Sequence, residues 1–331
     1  MKEKSTLRKL LGSREFLLFA IVVAMFLIVS AINPAFFSFK AIQDMMKNNA
    51  VTMVMALGML CVMLVGGIDI SCMSALALSA MSIGMLFKYG GLTSTFLAFV
   101  ISIAIGTACG LVVGLVISRA DVPPIICTMG FMYIWRAMGY LVSFGGEWAG
   151  ANVLGNFPKF GTGFVLGLSN LVWVILICYV IFYIFMKWFR TGRKIYAVGS
   201  NPEAAQVSGI NVRNIKLLVY TIMGFLAGLG GALYVATYAS AQPNMNETTG
   251  AMDIIAACVI GGVSMSGGRG SVIGVLFGSF IMAMIPKALP LLHIDSLWQN
   301  TIKGVLILAV VVINAILQRI ASRNALSRRE M

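Results

Sequence analysis

Polar side chains inside apolar segments are the residues of this chain with the chemistry to contact a solute. Asp69 follows a Gly-Gly pair between two apolar runs, and Arg136 lies within another apolar run. A charge in such surroundings needs a partner or water, because hydrocarbon does not solvate ions. These positions are therefore candidates for a polar pathway through an otherwise apolar protein.

Asp69 and Ser71 allow two interpretations. Both precede an apolar run, where a carboxylate or a hydroxyl accepts hydrogen bonds from the unpaired N–H groups at the start of a helix. A carboxylate at membrane depth is also a common component of a transport pathway. We therefore expect Asp69 and Ser71 either to cap a helix or to line a pathway.

Two further groups of polar residues lie in apolar runs. Trp135 and Arg136 share a run with more aromatic residues, which suit the stacking of a sugar ring and equally suit helix packing. Gln299, Asn300 and Lys303 are spaced to share one face of a helix. We predict that both groups line a translocation pathway, with helix packing as the alternative. The additional aromatic residues are Phe131, Tyr133 and Tyr140.

Sequence patterns typical of enzymes are missing. The chain has a single histidine, His293, and its six cysteines lie in apolar runs without a C-x-x-C pair, so neither a zinc site nor a disulfide is predicted. The sequence also lacks the G-x-x-x-x-G-K-[ST] loop that binds ATP phosphates. We expect that the chain is not an enzyme, has no cofactor or metal and does not itself bind ATP.

The composition is that of a membrane protein. Of 331 residues, 60% are hydrophobic and 11% are charged, against about 25% charged in soluble domains. The net charge of +13 comes from Lys and Arg at the chain ends and in one central loop, without a basic stripe interleaved with aromatics. Such charge is typical of loops that set membrane topology. We therefore expect contact with lipid and none with nucleic acid.

The apolar pattern predicts an all-α polytopic membrane protein with a single domain, residues 1–331. A membrane-crossing helix takes about 20 mainly apolar residues, and ten segments of this kind are found. Two consecutive pairs are separated only by short Gly-Gly breaks, at 66–71 and 265–270. The ten segments are 16–32, 50–65, 71–87, 92–118, 125–144, 168–187, 217–239, 252–264, 271–285 and 297–317.

The distribution of basic residues predicts the orientation. Seventeen of the 24 Lys and Arg residues fall in segments that share one side, and five fall in the opposite loops. Basic loops favour the cytoplasm, so we predict that both termini and the loop 190–216 are cytoplasmic. The first apolar stretch exceeds the roughly 7–15 apolar residues of a signal peptide, so we expect an uncleaved first helix. The segments of the basic side are 1–15, 119–124, 187–216, 265–270 and 318–331.

A short helix is predicted inside the central basic loop. Asn201 suits the N-cap, and Pro202 suits the first helical position. Glu203 favours the positive end of the helix, and Gly209 suits a left-handed terminator. Such a helix either docks into a partner protein or is an ordinary solvated loop helix. A face of small residues is formed by Ala204, Ala205 and Ser208.

This segment and the two breaks resemble a known family. Glu203-Ala204-Ala205 followed by Gly209 resembles the EAA-x-x-x-G signature of permeases in binding-protein-dependent ABC importers. Residues 197–201 and the breaks at 66–71 and 261–270 are similar to those of the ribose, xylose, arabinose and galactose permeases. The resemblance covers approximately residues 40–320. The chain departs from it in lacking the Ile-x-Leu-Pro ending near Val219 and in reading Cys72-Met73-Ser74 where Val-Gly-Ser is usual.

The resemblance implies an ABC importer permease fold and the import of a sugar across the bacterial inner membrane. The implied partners are cytoplasmic ATP-binding subunits, a second permease copy or paralogue, and a periplasmic sugar-binding protein. The outer loop at 145–148 is similar to the rhamnose or autoinducer-2 branch. The rival hypothesis is an ion-coupled secondary transporter with a broken-helix site around Asp69, which would transport alone. The residues that would couple the permease to its ATPase are Asn201, Glu203, Ala204, Ala205 and Gly209.

Overall fold

The computed structural model describes residues 14–245, 247–295, 297–306, 308–309 and 312, and this part of the chain is a bundle of α-helices. Six of its helices are long and apolar enough to cross a membrane, or seven if one bent pair is counted as a single span. Two more apolar helices, Cys72–Lys88 and Gly250–Ile260, are shorter. The predicted all-α polytopic fold is confirmed, whereas the count of ten spans is not. The tenth predicted segment, 297–317, is described only in part, at 297–306, 308–309 and 312.

The described helices are joined by connections that range from a single residue, between α9 and α10, to the segment 143–156 between α6 and α7. A two-stranded antiparallel hairpin, β1 (Phe164–Val165) and β2 (Leu168–Ser169), precedes the eighth helix. Further helical residues follow the last complete helix, at 298–306. The helices are α1 (Arg14–Ile32), α2 (Phe39–Asn48), α3 (Ala50–Leu64), α4 (Cys72–Lys88), α5 (Thr95–Arg119), α6 (Pro124–Val142), α7 (Phe157–Thr162), α8 (Asn170–Trp188), α9 (Arg190–Ser200), α10 (Pro202–Val207), α11 (Val212–Tyr238), α12 (Glu247–Ile260) and α13 (Val272–Leu291).

The centre of the bundle is formed by α3 and α11. Almost every residue of α3 is buried, and α11 packs against α3, α4 and α5. The α12–α13 pair and α8 also contact α3. A helix that is apolar on all sides, as α3 is, needs neighbours on all sides. The helices that flank the two glycine breaks therefore belong to the core of the protein.

Glycines let α5 and α11 approach each other backbone to backbone. A Cβ on Gly106 would overlap the main chain of Gly228, and a Cβ on Gly110 would overlap the carbonyl of Tyr220. Ser102 Oγ donates a hydrogen bond to the Gly228 carbonyl at 2.7 Å. Close contact of this kind drives helix association in lipid, where the hydrophobic effect between helices is missing.

Both glycine breaks begin with the same local structure, and the second begins directly after Ile260, four residues before the predicted start at 265. The helices before them, α3 and α12, end in left-handed glycines, Gly66 with φ +76° and Gly262 with φ +83°. The amides of Gly67 and Val263 each donate to the carbonyl five residues back, over 3.0 Å. This is the Schellman terminator, which satisfies a carbonyl left unpaired at a helix end. The repeated Gly-Gly pattern thus marks two equivalent helix stops.

The bundle has two distinct ends. The end that carries the loop 189–211, with α9 and α10, is called the basic end below. At this end Arg213 of α11 pairs with Asp121 of the α5–α6 loop at 3.3 Å. At the opposite end Lys88 pairs with Glu147 at 2.7 Å. Each ion pair joins the end of a helix to a loop between two other helices.

Candidate coupling and translocation site

The helix α10 has the caps that its sequence predicts. The side chain of Asn201 accepts a hydrogen bond from the Ala204 amide at 3.0 Å, and Pro202 occupies the first turn. Gly209 ends the segment with φ +80°, a conformation that costs glycine little. The segment is therefore a defined short helix with a fixed direction.

One side chain anchors α10 to the bundle, and the others face outward. Ala205 is 4% exposed, whereas Val207 is 91% exposed. Glu203 and Ala204 are exposed as well. The helix thus presents a carboxylate and small or aliphatic side chains on a surface that another protein could contact.

A groove of about 610 Å³ borders this helix. Its lining includes Gln206 and Gly209 together with Asp121, Arg213 and Lys216. Because Arg213 is engaged with Asp121, Lys216 leaves the groove with a net positive charge. The groove is therefore suited to an acidic side chain of a docking partner.

Asp69 is buried in the turn that precedes α4, and its carboxylate is bound to Ser71. It is 3% exposed, and its carboxylate accepts hydrogen bonds from the Ser71 amide at 2.9 Å and from Ser71 Oγ at 2.6 Å. These bonds satisfy donors at the start of α4 that lipid would leave unpaired. Ser71 is the N-cap residue of α4 but makes no side-chain cap hydrogen bond, and a pathway role for Asp69 and Ser71 stays a prediction.

Trp135 and Arg136 lie on α6, which packs against α4 and α5. Trp135 is 7% exposed and stacks on Phe131 with ring centroids 5.2 Å apart. Its indole N–H has no hydrogen-bond partner among the described residues. Arg136 is half-buried. A buried N–H without a partner carries a desolvation cost.

The three polar residues near the end of the chain, Gln299, Asn300 and Lys303, differ in burial. Lys303 is 8% exposed, and its Nζ lies 2.7 Å from Asp253 Oδ2 of α12. Gln299 is half-buried, and Asn300 is exposed. The structure thus holds Lys303 against α12, while Trp135 and Arg136 belong to a different part of the bundle.

Sequence reasoning missed Asp253, although a signal was present. Asp253 is the one carboxylate in the predicted segment 252–264. A charge in an apolar run needs a partner. This rule drew attention to Asp69 and Arg136, and it applies equally to Asp253. Applied to the predicted segments 252–264 and 297–317, this rule would have suggested Lys303 as the partner of Asp253.

Metal chemistry has no support in the described part of the chain. No group of three or more His, Cys, Asp or Glu residues is placed there to hold a metal ion. The six cysteines are free thiols, and all but Cys178 are buried. They behave as small core residues.

Apolar helices, two glycine breaks in the core and a capped helix at one end together define a polytopic transport permease. The chain belongs to the family described as branched-chain amino acid transport system / permease component, whose profile matches residues 42–311. No solved structure matches the chain.

Curated relatives are similar along nearly the whole chain. The ribose import permease protein of Haemophilus influenzae is 35% identical over 309 residues, 92% of this chain and 93% of the relative. The galactose/methyl galactoside import permease protein of Escherichia coli is 32% identical, covering 90% and 93%. The autoinducer 2 import system permease protein of an Enterobacter species is 30% identical, covering 96% and 91%. The family resemblance read from the sequence is confirmed, and these relatives support an importer permease over an ion-coupled transporter.

Proposed function

We propose that the chain is the membrane-spanning subunit of an ATP-driven importer that moves a sugar or a sugar-like solute across the bacterial inner membrane. Relatives named for the import of ribose, galactose or methyl galactoside and autoinducer 2 support this substrate class. The chain supplies the pathway, and separate subunits bind and hydrolyse ATP. The ribose relatives have the higher identity, so a pentose is the first cargo to test.

The observation that carries the proposal is the geometry of α10 in a permease of this family. The helix is capped at both ends by Asn201 and Gly209, anchored through Ala205, and exposed at Glu203 and Ala204. A rigid helix that packs on the bundle and exposes one face transmits the movement of a bound partner better than a solvated loop does. We assign contact with the ATPase subunit to this face.

The charge distribution supports the proposed orientation, and the family supports the remaining partners. The basic end faces the cytoplasm, so both termini are cytoplasmic and the ATPase subunits bind there. The opposite end, with its Lys88–Glu147 pair, receives a periplasmic solute-binding protein. A second copy of the chain, or a paralogue, completes the pathway.

The pathway residues divide into two roles. Trp135, with its unpaired indole N–H, and Arg136 contact the solute or water in the pathway, as do the more exposed Gln299 and Asn300. Asp69, Ser71 and Lys303 act indirectly, because their polar groups hold helices in place. An ion-coupled transporter built around Asp69 is disfavoured, since this carboxylate is already bound to Ser71.

The proposal is tested by reconstituting uptake in cells that cannot import the solute. The chain is expressed with the ATPase and the solute-binding protein of the proposed importer, and labelled ribose, galactose and an autoinducer-2 analogue are supplied separately. We expect uptake of at least one of these only when all components are present. Uptake by the chain without the ATPase would overturn the proposal.

A further inference from the structure

Three segments that are distant in sequence meet at the basic end: the end of α3, the second glycine break and the end of α9. We propose that this junction is the place where movement of α10 reaches both glycine breaks, and that Tyr196 is a positioning residue that keeps the second break attached to α9. The proposal rests on the coupling role assigned to α10 above. The junction consists of Leu64, Tyr196, Gly199, Gly268 and Gly270.

The two breaks are bound directly to each other. The carbonyl of Leu64, at the end of α3, accepts a hydrogen bond from the Gly268 amide at 2.9 Å. Gly267 and Gly268 both have left-handed backbones, with φ +86° and +72°. A Cβ on Gly267 would lie 2.9 Å from the Leu64 oxygen and 3.0 Å from the Gly66 nitrogen. The first and second breaks therefore form one main-chain contact that leaves no room for side chains.

The end of α9 is packed into this contact. A Cβ on Gly199 would overlap the Leu64 carbonyl and would lie 2.7 Å from the Gly268 nitrogen. The Tyr196 hydroxyl, one turn earlier, donates a hydrogen bond to the Gly270 carbonyl at 2.8 Å. Ile195 and Val198 are fully buried and fix the inner face of α9. Thus α9 touches the first break through Gly199 and is hydrogen-bonded to the second break through Tyr196.

The link from α9 to α10 is short. Asn201 alone separates the two helices, and its amide donates to the Ala197 carbonyl at 3.2 Å while its side chain caps α10. A displacement of α10 therefore moves α9 with it. Since the breaks join α3 to α4 and α12 to α13, the junction connects α10 to four core helices.

The test variant is Tyr196→Phe, which removes only the hydroxyl group that contacts the Gly270 carbonyl. Removing one hydrogen bond shifts an equilibrium by roughly 2- to 12-fold. We expect the assembled importer to keep its ATPase subunits and its basal hydrolysis. Uptake per ATP hydrolysed should fall by a factor within this 2- to 12-fold range, because movement of α10 is no longer transmitted completely to the second break.

The matched control is Tyr238→Phe. The Tyr238 hydroxyl also donates to a main-chain carbonyl, that of Asn48, at 3.3 Å, but at the opposite end of the bundle. This variant should keep the wild-type ratio of uptake to ATP hydrolysis. An equal loss in both variants, or wild-type coupling in Tyr196→Phe, overturns the role of Tyr196.

A second measurement does not depend on any variant. Hydrogen–deuterium exchange of the whole importer, with and without ATP, should show peptides that cover 64–70 and 264–270 changing together, since Leu64 and Gly268 share a hydrogen bond. Independent changes in the two peptides would overturn the junction. If Gly209 and Glu203 variants couple normally, the role assigned to α10 fails instead, and the two failures are thereby distinguished.

Discussion

The ion pair between Lys303 and Asp253 shows how this chain handles charge in an apolar bundle. The side chains are 10% and 21% exposed, and the nitrogen and oxygen are 2.7 Å apart. Each charge compensates the other, so neither has to meet lipid. Lys303 was predicted to line a pathway from its spacing with Gln299 and Asn300. Residue spacing predicts which side chains share a helix face, but it does not predict which helix packs against that face.

Removing one member of this pair should be worse than removing both. Asp253→Asn leaves the Lys303 charge without its partner, a change that costs about 3–5 kcal/mol in buried soluble pairs. We expect a lower midpoint of thermal unfolding in detergent. The double variant Asp253→Leu with Lys303→Met should recover most of the loss. A single variant as stable as the wild type would show that the pair is solvated.

A second residue-scale prediction concerns pH and Glu147, outside the spans. Hydrogen bonds from Lys88 and Tyr89 lower the pKa of Glu147 from its usual value of 4.5. A lowered pKa in the folded protein stabilises it above pH 4.5, and this contribution disappears as the pH falls through the folded pKa. The thermal midpoint should therefore fall more steeply below pH 4.5 in the wild type than in Glu147→Gln. Parallel curves would mean that the pair does not form in solution.

At the scale of elements, α10 was predicted to its end residues because every signal was local. The N-cap, the first-turn proline and the glycine terminator lie within nine residues of one another, from 201 to 209. The bent α2–α3 pair was predicted only in part. Residues 50–65 were recognised, but α2 was missed because its charged residues Lys40, Asp44 and Lys47 interrupt the apolar pattern.

Gly209→Val should disturb coupling without unfolding the protein. No atom lies within 4 Å of a Cβ at this position, so the cost is backbone strain at φ +80°, about 1–2 kcal/mol. We expect normal membrane insertion with weaker co-purification of the ATPase and reduced uptake. Gly209→Asn, which tolerates a left-handed backbone, should resemble the wild type. Glu203→Ala should have a milder effect than Gly209→Val. Normal assembly and transport in Gly209→Val would make α10 an ordinary loop helix.

The crossing of α5 and α11 should be far more sensitive to added volume. A side chain at Gly110 meets the main chain of Gly224 and Tyr220, which cannot move aside. We therefore expect Gly110→Val to reduce the yield of monodisperse protein sharply. The control is Gly130→Ala on α6, where no atom lies within 4 Å of the new Cβ. That exchange should be neutral or stabilising by about 1 kcal/mol.

At the scale of the whole molecule, the sequence predicted where most helices lie but not how they meet. The predicted segments 71–87, 92–118 and 125–144 match α4, α5 and α6 within a few residues, because length and hydropathy mark them. The contacts Leu64–Gly268 and Tyr196–Gly270 were not predictable, since no local pattern links such distant residues. The number of spans is also not fixed by hydropathy. The breaks leave α4 and residues 250–260 apolar but shorter than a full span.

The protein is thus a permease whose core helices are interrupted by two glycine breaks, and these breaks contact each other at the basic end. The basic end also carries α10. The helix proposed to receive motion from the ATPase subunit therefore lies next to the glycine breaks proposed to use that motion. This arrangement predicts that transport depends on the ATPase subunit and not on an ion gradient.

Dependence of transport on the ATPase can be measured in proteoliposomes that contain the purified chain, the ATPase subunit and the solute-binding protein. Labelled ribose uptake should require ATP at the ATPase side and all three components, and should persist when proton and sodium gradients are collapsed. Accumulation by the chain alone, driven by an ion gradient without ATP, would contradict the account.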